Sequence, residues 1–190
     1  MGLLDVLTGK RKLDKPAPDR LFAITTAYVT LETTLEITSR QAAGIVFQAL
    51  STADFRSIVR DTEEVVRATA ADSGTTVEQS ADSYGFSWLV LRGSDFDQLA
   101  VGINAVSGAL EAGGYGERLL CAVFAFEDAD RRPIYWIYNY KRGSFYPFVP
   151  ASGSQLRDNE RELVLRAQIG TELPVEPELA RWFPLWGIPI

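Results

Sequence analysis

The chain has 190 residues, 46% of them hydrophobic, with 10 Phe, 7 Tyr and 4 Trp, which is enough to fill the core of one ordinary domain and excludes disorder throughout. A formal charge of −6 and a pI near 4.8 argue against a nucleic-acid binder, because displacing counterions from phosphates needs clustered Lys and Arg. Histidine is absent, which removes Ser-His-Asp, Cys-His and His-metal chemistry together.

At the start of the chain Leu3, Leu4 and Leu7 share one helical face, and Lys10, Arg11 and Lys12 follow. That pattern suits shallow insertion at an anionic lipid surface, and equally a small helix tucked against the domain. Pro16 and Pro18 interrupt any helix, so residues 1–18 read as an amphipathic segment with its linker. No apolar run approaches the ~20 residues a membrane-spanning helix needs. Nor does the start combine a basic region, a long apolar stretch and a cleavage site as a secretory signal does. Cys121 stands alone within the apolar run 119–124 and reads as a small buried hydrophobe, with no intrachain disulfide to form. The expected location is cytoplasmic, with peripheral contact at the inner face of the membrane if the leucines and basic residues act on lipid.

Residues 28–37 alternate Val29, Leu31, Thr33, Leu35 and Ile37 with Thr and Glu, which predicts a strand with one wet face. A second strand is expected over 44–50. Asp54 then caps a helix carrying Phe55, Ile58, Val59, Val65 and Val66 through about Ala71. Residues 75–81 and 85–91 read as two more strands, followed by a helix from Ser94-Asp95 that carries Phe96, Leu99, Ile103, Val106 and Leu110. The order β-β-α thus occurs twice and suggests a repeated topology. Strands follow at 119–126, 134–140 and 145–149, joined by short hairpin turns, and a last helix covers about 155–170. The expectation for residues 19–172 is an α+β domain, a mostly antiparallel twisted sheet with about three packed helices.

Chemistry is sparse. Glu160 and Glu162 read as part of a solvated helix face, and Glu127-Asp128-Ala129-Asp130 as a solvated hairpin turn, since it does not continue into a calcium loop. Gly113-Gly114-Tyr115-Gly116 follows a helix and lacks the Lys-Ser/Thr of a phosphate loop, so it reads as a helix end. No catalytic, metal or cofactor residue is nominated. The strand aromatics, Trp136 and Tyr138 among them, are expected in cross-strand packing, with a protein-binding patch as the alternative to base stacking. Residues 173–190 form a Pro- and Trp-rich apolar arm. It either packs over its own core, which is the expectation, or presents Trp182, Phe183 and Trp186 to a partner.

The opening Met1-Gly2-Leu3-Leu4-Asp5, the segment Asp19-Arg20-Leu21-Phe22-Ala23-Ile24, and the ending from Glu172-Leu173-Pro174-Val175-Glu176-Pro177 to Arg181-Trp182-Phe183-Pro184-Leu185-Trp186-Gly187-Ile188-Pro189 resemble the PspA-associated family PspAB. The resemblance implies a small cytoplasmic protein of the phage-shock type envelope stress system of actinobacteria and haloarchaea, associated with the membrane-remodelling protein PspA. It brings no catalytic residues. The resulting expectation is a non-enzymatic adaptor or regulatory binding protein whose partner is PspA or another phage-shock component. The alternatives are a membrane-surface sensor working through the N-terminal leucines and basic residues, and a small-ligand domain with a carboxylate site between sheet and helices.

Overall fold

A computed structural model describes residues 18–70, 74–82, 84–153 and 155–190. A single helical turn at Pro18–Leu21 precedes α1 (Ala23–Leu35), β1 (Thr38–Phe47), α2 (Ala53–Ala70), β2 (Thr76–Ala81) and β3 (Ser87–Arg92). Then come α3 (Phe96–Ala112), β4 (Leu119–Glu127), β5 (Pro133–Asn139), β6 (Ser144–Phe148) and α4 (Asn159–Ile169). The six strands make one antiparallel sheet in the order β2-β3-β1-β4-β5-β6, so the fold is α+β.

The central strands are long apolar runs because both of their faces are buried. Along β4 and β5, Ala122, Phe124, Phe126, Ile134, Trp136 and Tyr138 belong to the core under the helices. The alternate residues Cys121, Val123, Ala125, Tyr135 and Ile137 belong to a second core on the opposite face, as the two-residue strand period requires. Helix α3 sits at the centre of the helical layer. Asp95 starts it by accepting a hydrogen bond from the Gln98 N–H at 3.1 Å, and Phe96, Leu99, Ala100, Ile103, Val106 and Leu110 face inward. Gly102 lies where any side chain would strike Leu91 of β3, so its lack of a Cβ sets the close approach of helix and sheet.

Several expectations are corrected. The segment predicted as a strand over 28–37 is mostly helix α1. Ile24, Ala27 and Leu31 are wholly buried, whereas Val29 is 59% exposed, a spacing of three and four residues that belongs to a helix. The Thr hydroxyls that favour a strand are absorbed locally: Thr25 donates to the Phe22 carbonyl at 2.9 Å and Thr33 to the Val29 carbonyl at 2.7 Å. Glu36, at φ 54°, ends the helix and turns the chain into β1. The first unit is therefore α-β-α, not β-β-α, and the repeated topology does not hold. Among the described residues four principal helices, not three, pack on the sheet. Asp128, expected in a solvated turn, is only 8% exposed, and the last correction is Glu162, expected on a solvated face but 1% exposed. Its helix packs against β6 with that face inward.

Candidate interaction surface

The sheet face away from the helices is covered by residues 173–190. Val175 forms a bridge beside Phe145, with the Phe145 N–H donating to the Pro174 carbonyl and the Glu176 N–H to the Phe145 carbonyl, at 2.9 and 2.8 Å. The arm then crosses the sheet. Trp182 stacks on Tyr146 with ring centroids 6.4 Å apart, and Trp186 meets Phe148 edge-on at 5.1 Å. Further along, Arg92 donates to the Pro189 carbonyl at 2.9 Å and the Tyr135 hydroxyl to Ile190 O at 3.3 Å. Ile190 ends over Gly44 of β1.

Two buried carboxylates fasten this layer. Glu162 of α4 accepts from the Val149 N–H at 2.9 Å and takes Arg157 through Nε at 3.0 Å and Nη2 at 2.6 Å. The remaining Arg157 Nη1 donates to the Trp182 carbonyl at 2.6 Å, and its guanidinium lies 5.5 Å from the Phe148 ring centroid. Burial pushes the Glu162 carboxyl above its usual value, against the opposing pull of Arg157 and the Val149 N–H. Glu176, 5% exposed, gathers the Glu178 N–H at 3.1 Å, Arg181 at 3.4 Å and the Ser144 hydroxyl at 3.3 Å. Its backbone carbonyl also receives the Trp182 Nε1–H at 3.0 Å. Both sites are filled by their own chain, and a carboxylate so fully bonded is a structural fastener.

What remains outside is a small apolar surface on rigid support. Phe183 is 59%, Leu179 49% and Leu163 44% exposed. A cavity of about 340 Å³ lies beside the two leucines, lined by Arg157, Asn159, Glu162, Leu163, Leu179 and Trp182. Of the arm residues nominated from sequence, Phe183 is open to contact, Trp186 is partly buried on the sheet, and Trp182 is 5% exposed. Trp136 and Tyr138 are wholly buried beneath the helices, and they touch nothing outside the protein while the fold is intact. Leu3, Leu4, Leu7, Lys10, Arg11 and Lys12 lie outside the described residues. Sequence reasoning missed Leu163 and Leu179. They are 16 residues apart in the chain, and only the tertiary structure brings them into one cavity wall.

Burial pushes the Cys121 thiol up to about 12, which keeps it protonated and unreactive at neutral pH. Among the described residues no three His, Cys, Asp or Glu side chains converge on a metal-sized gap, and no helix is long and apolar enough to cross a membrane. Further cavities lie by the β4–β5 turn, about 450 Å³ with Asp128, Arg132, Asp158 and Arg161 in its wall, and between α2 and α3, about 360 Å³ with Asp61 as its charged residue. Another, of about 390 Å³, opens where β1 ends.

These features define an antiparallel α+β protein whose C-terminal arm serves as a structural layer and leaves an apolar patch at its surface. A family model described as PspA associated protein B, PspAB, matches residues 1–190, the whole chain, and the chain belongs to that family. No curated protein and no solved structure matches it.

Proposed function

We propose that the protein is a cytoplasmic, non-enzymatic adaptor or regulatory binding protein of a phage-shock type envelope stress response, and that it holds PspA or another component of that response. Membership of a family named for association with PspA supports the choice of partner. The observation that carries the contact surface is the pair Leu179 and Leu163, both exposed, in one cavity wall with Trp182, with exposed Phe183 next to Trp182 in the chain. Trp182 is itself immobilised by Arg157, Tyr146 and Glu176. Exposed aromatic and aliphatic groups on an ordered base make efficient contact residues, because little side-chain freedom is lost on binding.

The test is capture of purified PspA by the full chain and by a Phe183→Ser, Leu179→Ser double variant. Both positions are about half exposed, so the variant should keep its thermal midpoint while its affinity falls about tenfold or more. A folded double variant that captures PspA at full strength removes this surface from the interaction.

A further inference from the structure

The cavity at the end of β1 stands apart from the arm and from the surface assigned above. Past Val46 the pairing of β1 with β4 shifts register, the strand ends, and the chain turns toward α2. The opening this leaves is about 390 Å³, within the range of small-ligand sites, about 300–1,000 Å³. Its apolar wall includes Phe47, Phe55 and Val59, with Leu50 beside them. Phe47 and Phe55 have ring centroids 5.9 Å apart and are each 2% exposed.

The polar part of the wall carries one sign of charge. Arg56 and Arg60 line it and, among the described residues, no carboxylate does, in a chain of net charge −6. The cavity by the β4–β5 turn balances its arginines with aspartates, and the one beside Leu163 has Arg157 closed on Glu162. Here the guanidinium groups are lightly held. Arg56 donates to the Ser51 carbonyl at 2.8 Å, and Arg60 reaches Asp61 at 3.3 Å with both side chains more than 60% exposed. Ser87, opposite Phe47 in the pairing of β3 with β1 and so on the same sheet face, also lines the opening, and its hydroxyl has no protein partner among the described residues. Two planar cations and a free hydroxyl beside an aromatic wall match an oxyanion joined to an apolar body.

We propose that this cavity binds a phosphate monoester with an apolar substituent. The phosphoryl oxygens meet Arg56, Arg60 and the Ser87 hydroxyl, and the substituent lies against Phe47, Leu50 and Phe55. A soluble ester and a lipid phosphate monoester share this chemistry, and the experiment separates them. Phenyl phosphate titrated into the full chain, followed by backbone amide resonances, should give saturable shifts at Ser87. In Arg56→Gln, Arg60→Gln the affinity should fall about tenfold or more, while Arg131→Gln, at a side chain 82% exposed and outside the cavity wall, should leave it unchanged. Co-sedimentation with phosphatidic acid in phosphatidylcholine vesicles forms the second arm, and retention that depends on Arg56 and Arg60 assigns the lipid source. Absence of saturable binding in both arms, binding indifferent to the two arginines, or inorganic phosphate binding as tightly as phenyl phosphate overturns the proposal.

Discussion

Helices cover one face of the sheet with their backbone groups already paired within themselves. Residues 173–190 cover the other with a single 3₁₀ turn and one bridge to Phe145. The consequence is physical. A helix docks through apolar contact alone, whereas an irregular segment must find a partner for each carbonyl it brings against the sheet. Here the partners are side chains: Arg157 for Trp182, Tyr146 for Phe183, Arg92 for Pro189 and Tyr135 for Ile190. The helical layer therefore rests on many interchangeable apolar contacts, and the arm on a few specific polar ones.

The strongest test of this contrast is removal of the arm. A chain ending at Leu173 bares Val46, Val90, Val123, Ile137 and Phe148, and fully burying such a side chain is worth roughly 1.5–3 kcal/mol. The expected outcome is loss of a cooperative urea transition, with aggregation. A truncated chain that unfolds at the full-length midpoint would show that the arm is an appendage and not a layer.

A smaller effect is expected from Glu162→Ala, which leaves the Val149 N–H and most of the Arg157 guanidinium without partners. Breaking such a pair costs roughly 3–5 kcal/mol, and because Arg157 keeps 18% of its side-chain surface exposed the lower end applies, about 3 kcal/mol. Glu160→Ala, on the exposed side of the same helix, should stay within about 0.5 kcal/mol. Equal urea midpoints for the two variants would break the comparison.

The mildest probe is pH, where two buried carboxylates should act with opposite signs. The folded Glu162 carboxyl is raised by burial, so the folded state takes up its proton first. Its contribution to stability grows as pH falls through the raised value toward the unfolded one, about 4.3. For Asp128, 8% exposed, burial alone would act upward, but the Arg132 N–H and guanidinium and the Asp130 N–H outweigh it and hold the carboxyl below its usual value. Its contribution is present above the unfolded value, about 3.9, and is lost as pH falls through the lowered one. Urea midpoints between pH 3 and 7 should show Glu162→Gln flattening the first slope and Asp128→Asn the second. A single slope untouched by either substitution contradicts both assignments.

Much of the fold was legible where one period dominated over ten or more residues. Helices α2 and α3 and the hairpins of β4 to β6 follow from local spacing and caps, and they fall close to where the sequence places them. The segment 28–37 was not, since Leu31 and Leu35 satisfy the alternation of a strand and the four-residue spacing of a helix alike, and Thr favours the strand. Only the burial of Ile24 and Ala27, which lie before the alternating window, resolves it. Of the candidate surface, the aromatic arm was legible from its composition, but its apolar partners Leu163 and Leu179 were not. Nor were Arg56 and Arg60 marked as a pair facing Ser87, because those residues come from separate elements.

By itself the sequence determined the α+β class, the apolar strand run at 119–124, the absence of histidine chemistry and the apolar character of the arm, all properties of composition and short-range period. Tertiary structure decided which face the arm covers, that Glu162 is a buried fastener, that Trp136 and Tyr138 are interior and Phe183 is not, and which charges share a cavity. These depend on contacts between residues distant in the chain, and no local spacing encodes which of several apolar surfaces a given segment will meet.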